Sequence, residues 1–263
     1  MYHELETENR PLVSDEPGYV RYAVRAEDFQ RQLDHLRTSN LRGVSVGEAL
    51  DNKNEYARVC ITFDDGCETD FTIAAPMLEE KNFNATFYVV AGFVGRERGY
   101  LSESQVRELS DLGFEIGSHS LTHAFLSNLS DEELRREVFE SKKRLEQLTG
   151  RAVEHLSCPG GRWNRRVADA VREAGYVSMS TSEIRLNDAD TNPFHLSRVV
   201  VMRDTNSEDF ARLCRHEGLL RRRTASAIRG TAKRVLGDSV YDRLRTSVLE
   251  RGRKGEPISE HSN

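Results

Sequence analysis

The sequence predicts an α/β fold with a parallel sheet or barrel, and three observations carry that expectation. Strand-like and helix-like patterns alternate through residues 1–214, the succession that builds parallel sheets through helical crossovers. Several helices are bounded by capping sequences as well as by hydrophobic spacing. Two of the strand-like runs end in chemically active residues, Asp64 and Asp65 after one and His119 after another, at the edge where such folds gather their functional groups.

Taken in order, residues 28–39 place Phe29, Leu33 and Leu36 at helical spacing. Val59, Ile61 and Phe63 alternate with smaller or polar residues and read as a strand. A helix is expected near residues 69–81, then a strong strand over ATFYVV, residues 85–90. Ser102 with Gln105 forms a capping box for a helix that runs to Gly113. Ser130 with Glu133 opens another, ended by Gly150, and Asn164 caps a third, closed by Gly175. Short strands fit GFEIGS, AVEHLS and GYVSMS between these helices, and LSRVVVM, residues 196–202, reads as one more.

Composition narrows the function classes. With 263 residues, 37% hydrophobic and 31% charged, the chain can bury one large domain or a domain with an appendage. No apolar run approaches the roughly 20 residues that a bilayer needs. The opening MYHELETENR is polar and unlike a secretory signal. Cys60, Cys67, Cys158 and Cys214 lack CxxC spacing and read as reduced thiols. A cytoplasmic setting is the resulting expectation. Charge divides the chain: residues 215–254 carry a net +8, residues 1–214 a net −11. The expected domains are therefore 1–214 and a basic helical extension, 215–263.

Chemistry gathers in two stretches. ITFDDG, residues 61–66, ends a strand in two adjacent acids. Like charges side by side repel, and a bound cation relieves that repulsion. A surface Asp-Gly turn is the plainer alternative. HSLTH, residues 119–123, holds two histidines four apart. On a helical turn that spacing puts both imidazoles on one face, as a metal requires, although a lone HxxxH also arises by chance.

TFDDG followed about 55 residues later by HSxxH resembles the polysaccharide deacetylase family, the NodB-type domain of carbohydrate esterase family 4. The resemblance implies an irregular seven-stranded (β/α) barrel. It implies that Asp65, His119 and His123 bind a divalent cation, typically zinc, with cobalt, nickel or iron also suited to two nitrogens and one oxygen. Asp64 would be the general base, and zinc would make a water molecule acidic enough to serve as nucleophile near neutral pH. The substrate implied is an N-acetylhexosamine-containing glycan or exopolysaccharide precursor. An O-acetyl ester, a cyclic amide, or a sugar-binding protein without catalysis are the other readings.

Departures from the family pattern matter. Its Arg-x-Pro-x-Gly motif corresponds here to SCPGG, residues 157–161. Ser157 stands where the arginine that orients the base is expected, and Arg162 is the nearby candidate to supply the charge. Gly160 and Gly161 are candidates to offer a backbone N–H to an oxyanion, and Trp163 is a candidate to stack on sugar. The family's Leu-x-His is absent, for His195 precedes Leu196. The N-terminal region is similar to deacetylases of exopolysaccharides, in which a Tyr-His near the start enters the active site. That similarity makes His3 the expected general acid, with His195 as the alternative. His35, His155 and His216 are expected to be structural.

Beyond residue 214, Ile228, Val235, Leu236, Val240, Tyr241, Leu244 and Val248 recur at helical spacings among arginines. Two short amphipathic helices are expected there. They would either cap the body or contact an anionic membrane surface or a partner enzyme. Nucleic acid is not an expected partner, because the body is acidic and carries no reading motif.

Overall fold

The structure, a computed structural model, describes residues 1–8, 10–51 and 57–218. Most of the basic stretch, from residue 219 on, lies outside the described residues, and so do the two amphipathic helices expected there.

Among the described residues, nine strands form in chain order. β1 (Leu5–Glu6) pairs in parallel with β2 (Val24–Arg25) around the short α1 (Pro17–Val20). α2 (Ala26–Thr38) leads to β3 (Arg42–Val44), α3 (Val46–Leu50) and β4 (Arg58–Cys60), with β3 and β4 parallel. The main sheet is β5 (Thr62–Phe63), β6 (Thr86–Val89), β7 (Glu115–Ser118), β8 (His155–Ser157) and β9 (Ser178–Ser180), in that spatial order and parallel throughout. Its crossovers carry α4 (Ala75–Glu80), α5 (Glu103–Asp111), α6 (Asp131–Thr149) and α7 (Arg165–Glu173). α8 (Ser207–Cys214) ends the described chain and packs on α2.

Local sequence explains the boundaries. Ser102 and Ser130 complete their capping boxes, and Asn164 accepts from the Val167 N–H at 3.0 Å. Gly150 closes α6 with φ of 68°, a left-handed conformation that costs glycine little. Thr86 and Tyr88 point to the opposite side from Phe87 and Val89. Phe63, Phe87 and Phe114 form an aromatic row, with centroids 5.2 and 5.4 Å apart, beneath Tyr2 and Phe29. On the other side, Tyr88 shares a 2.9 Å hydrogen bond with Ser180.

Two expectations need correction, and the helix expected near residues 69–81 is present with an irregular first turn. The run 59–63 is not one strand: it changes sheets at Ile61, β4 pairing with β3 and β5 with β6. Residues 69–81 begin as a π-helical turn, Asp70–Ala74, before α4. LSRVVVM is not a ladder strand among the described residues, since only Leu196 makes a bridge, to Ser180. The continuous sheet therefore has five strands where seven were expected. The remaining edge is spanned by isolated bridges and a few backbone hydrogen bonds. Tyr2 bridges Phe63 on one side, and Val201 N–H donates to the Met1 carbonyl at 2.9 Å on the other. Chain pieces this short and irregular satisfy their backbone groups without meeting a ladder's regular register.

Candidate active site

The C-terminal ends of β5, β7 and β8 converge on one cluster. Asp64 and Asp65 follow β5, His119 follows β7, and Ser157 closes β8. Asp65 Oδ1 lies 3.3 Å from His123 Nε2 and 3.5 Å from His119 Nε2. One donor atom from each of these residues lies within 4.8 Å of the others, the only such grouping among the described residues. Two imidazole nitrogens and a carboxylate oxygen match the donors of a divalent cation site. His119 Nδ1 contacts the Ser157 carbonyl at 2.8 Å. A carbonyl accepts only, so the proton sits on Nδ1 and the Nε2 lone pair faces Asp65.

HSLTH does not form a helical turn. His119 ends a strand, and the chain then loops, with Ser120 at φ of 67° and His123 at 63°. Glu137, from α6, holds this loop by accepting the N–H groups of Leu121 and Thr122 at 2.9 Å and the Thr122 hydroxyl at 2.6 Å. The Ser120 hydroxyl accepts the His123 N–H at 3.1 Å. Asp65 also has a positive φ, 82°, which turns its carboxylate toward the histidines and away from the line of the strand.

Asp64 is 3% exposed, yet it is held as an anion. Arg198 grips it in a fork, Nη1 to Oδ1 at 2.7 Å and Nη2 to Oδ2 at 2.8 Å. The Ser157 hydroxyl donates to Oδ2 at 3.2 Å and accepts from Arg198 Nη2 at 2.6 Å. Arg198 is itself fixed by Nε on the Thr181 carbonyl and Nη1 on the Thr62 hydroxyl. Burial alone would raise the Asp64 pKa, but Arg198 and then His119 outweigh it and keep the carboxyl well below its ordinary range. Asp65 is lowered too: burial opposes ionisation, and His123, His3 and His119 overcome it. Burial pushes His119 down to about 4 despite both acids, so at neutral pH it is the uncharged ligand form. Burial would lower His123, but its hydrogen bond to Asp65 and the charges of Asp65, Asp64 and Glu137 together outweigh it, so its pKa is raised.

The arginine that the third motif lacks is therefore Arg198, not Arg162. Arg162 lies over the Phe125 ring at 4.0 Å. Sequence reading missed Arg198 because it sits 134 residues from Asp64, inside a segment that looked like a strand. The signal was present in one form: a charged residue in an otherwise apolar run, LSRVVV. Among the glycines, the Gly161 N–H is already spent on the Cys158 carbonyl at 2.8 Å, which leaves Gly160 as the oxyanion candidate. Gly161 serves packing, since a Cβ there would lie 2.3 Å from Ser182 Oγ. His3 joins the cluster electrostatically, its charge acting on both Asp64 and Asp65. Its Nδ1 is buried without a hydrogen-bond partner, and its ring lies 5.0 Å from that of Tyr22. His195 instead contacts Trp163 and Glu183. His35 packs on Phe210, and His155 bonds Ser178 beside Glu115, both structural places.

A parallel α/β sheet bearing three clustered donors that could hold a cation, and a separate, ion-paired carboxylate at its C-terminal edge, is an arrangement suited to cation-assisted hydrolysis. Residues 51–179 match the family model described as polysaccharide deacetylase. The chain belongs to that family, hydrolases that act on amide bonds. It is 34% identical over 127 residues to a peptidoglycan-N-acetylglucosamine deacetylase of Bacillus cereus, covering 48% of this chain and 57% of that protein. It is 22% identical over 200 residues to a poly-beta-1,6-N-acetyl-D-glucosamine N-deacetylase of Staphylococcus aureus, covering 70% of this chain and 69% of that one. The chain thus spans little more than half of the first relative's length. In fold it is similar to the Streptococcus pyogenes deacetylase PplD in complex with acetate, with a TM-score of 0.71, 21% identity, and 80% of this chain and 94% of that chain covered.

Proposed function

We propose that this protein removes N-acetyl groups from N-acetylhexosamine units of a glycan. The observation that carries the reading is the Asp65–His119–His123 donor triangle beside an Asp64 kept ionised by Arg198. The names of the two curated relatives, both deacetylases of N-acetylglucosamine units, support the sugar class.

Asp65, His119 and His123 would hold the cation, zinc suiting the donor set best. When bound, it supplies Lewis acidity for water activation and carbonyl polarisation. Asp64 accepts the proton of the attacking water. Arg198 and Ser157 hold its oxygens in place, so orientation is fixed before substrate arrives. Gly160 is placed to offer its N–H to the oxygen that becomes negative. As the water oxygen bonds to the acetyl carbon, the carbon–nitrogen bond breaks, and His3 gives a proton to the departing nitrogen. Acetate and a free amine leave. Arg162 and Trp163, just past Gly161, are read as substrate contacts. In the same reading, residues 1–2 and 196–201 act as irregular sixth and seventh staves of a barrel. Their single bridges to β5 and β9 support this.

Acetate release from N-acetylglucosamine oligomers, together with metal content, tests the proposal. Asp64→Asn is expected to keep its metal and lose acetate release by at least about 100-fold, the usual size of a general-base contribution. Undiminished release in that variant would reject the mechanism.

A further inference from the structure

Trp163, read above only as a substrate contact, belongs to a side-chain cluster whose other members, Glu183 and His195, have no place in the chemistry above. Trp163 Nε1–H donates to Glu183 Oε1 at 3.2 Å. His195 Nε2 lies 3.0 Å from the same oxygen, and the His195 and Trp163 rings approach to 4.3 Å, tilted by 49°. The indole is thus held at its N–H by a carboxylate and against another ring by an imidazole. It remains partly exposed. Such restraint costs nothing at the moment of binding, which is the condition for a rigid contact surface.

The supports of this cluster are themselves fixed. His195 lies in a short turn, Pro193–His195, whose Asn192 side chain accepts the Phe194 N–H at 3.0 Å. Phe194 is covered by the Arg172 guanidinium at 4.2 Å. Asn187 closes the intervening loop with two hydrogen bonds to the Ser197 backbone, at 2.8 and 2.9 Å.

Two connections join the cluster to Asp64. Trp163 follows Ser157, which bonds Asp64, by six residues through the Gly160–Gly161 turn. Glu183 offers its backbone carbonyl to the N–H of Arg198, at 2.9 Å, and Arg198 grips Asp64. Both halves of the pair therefore stand on the chain segments that position the base, at the C-terminal edge of β8 and β9. A partly exposed, restrained aromatic face beside a hydrolytic centre is suited to the apolar face of a pyranose ring.

We propose that Glu183 and His195 fix Trp163 as a platform for the sugar unit next to the one being deacetylated. The proposal rests on the deacetylase reading and deepens it. Glu183 and His195 are positioning residues: they act through Trp163 and not on the scissile amide. On this account His195 is not the general acid. The platform makes the enzyme prefer oligomers over single N-acetylhexosamines.

Trp163 is the only tryptophan in the chain, so indole emission reports on this position alone. In the metal-loaded Asp64→Asn protein, titration with an N-acetylglucosamine tetramer is expected to change that emission saturably. Adding Glu183→Ala is expected to raise the Kd about fivefold, the worth of one well-placed aromatic contact. Glu183→Gln, whose amide oxygen still accepts the indole N–H, is expected to recover most of that affinity. In the active protein, Glu183→Ala is expected to raise KM by a similar factor while kcat changes by less than about twofold. Metal content and melting temperature confirm that each variant is folded. No saturable emission change, an unaltered Kd in Glu183→Ala, equal losses in Ala and Gln variants, or a fall in kcat at constant KM would each overturn the platform. Saturable binding with no acetate release by the unsubstituted protein would instead sink the deacetylase reading and leave the platform standing.

Discussion

Asp64 and Arg198 form the pair on which the chemistry depends most directly. Both are nearly buried, at 4% and 7% side-chain exposure, and each meets the other's charge in two hydrogen bonds. A buried ion pair gains little over an apolar pair, but losing one partner leaves a charge without water or counter-ion. Arg198→Met is therefore expected to destabilise the fold by about 3–5 kcal/mol, measured by denaturant unfolding. The pH dependence has a fixed sign. Arg198 depresses the folded pKa of Asp64, so its stabilising contribution is present above the unfolded value of about 3.9 and is lost as pH falls. Without Arg198, burial dominates and the carboxyl pKa rises. The acid limb of acetate release in Arg198→Met should consequently move to higher pH. An unshifted limb would show that Arg198 does not control the base. The adjacent acids of TFDDG were legible from sequence as a puzzle of repulsion, and the histidines as the other half of its solution. Arg198 was not legible, because no local rule links it to a carboxylate in another element.

At the scale of elements, the site is carried by strand ends and by loops that neighbouring helices hold. His119 inherits its position from β7, whereas His123 depends on a loop tied to Glu137 of α6. Glu137→Ala frees two backbone N–H groups in that loop. Metal affinity is expected to fall by about 10- to 100-fold, the usual cost of removing a group that orients a ligand, as read by competition with a chelator. Retained affinity would mean that the loop holds itself. Capping boxes announced α5 and α6 in the sequence, because serine and glutamate or glutamine satisfy orphan N–H groups through local geometry. The HxxxH spacing misled for the same reason that caps succeed. It too is a local rule, but here the left-handed Ser120 and His123 replace the helix with a loop. Residues 196–202 misled in the opposite direction. Their β-branched run has strand propensity, but the neighbouring chain gives only single bridges.

The whole molecule brings the N-terminal residues to the site. Tyr2 N–H donates to the Thr62 carbonyl at 2.7 Å, and the Asp64 N–H returns a bond to the Tyr2 carbonyl at 2.9 Å. His3 is thereby delivered near enough to act on both acids, and its Nδ1 is buried without a hydrogen-bond partner. His3→Ala is expected to lower kcat by about 100-fold or more while metal content stays unchanged, since the general acid makes no contribution to the donor set. Full turnover in that variant would require another acid. The alternation of strand-like and helix-like patterns allowed the α/β body to be read in advance. The sequence by itself determined what is local: the helix caps, the turns, and the acids and histidines offered at the strand ends. Tertiary structure alone decided which arginine faces Asp64, how HSLTH bends, and which edges of the sheet meet. Those outcomes come from contacts between separate elements, from 15 residues apart at Thr122 and Glu137 to 134 at Asp64 and Arg198, whose energies depend on packing and burial that no short stretch of chain encodes.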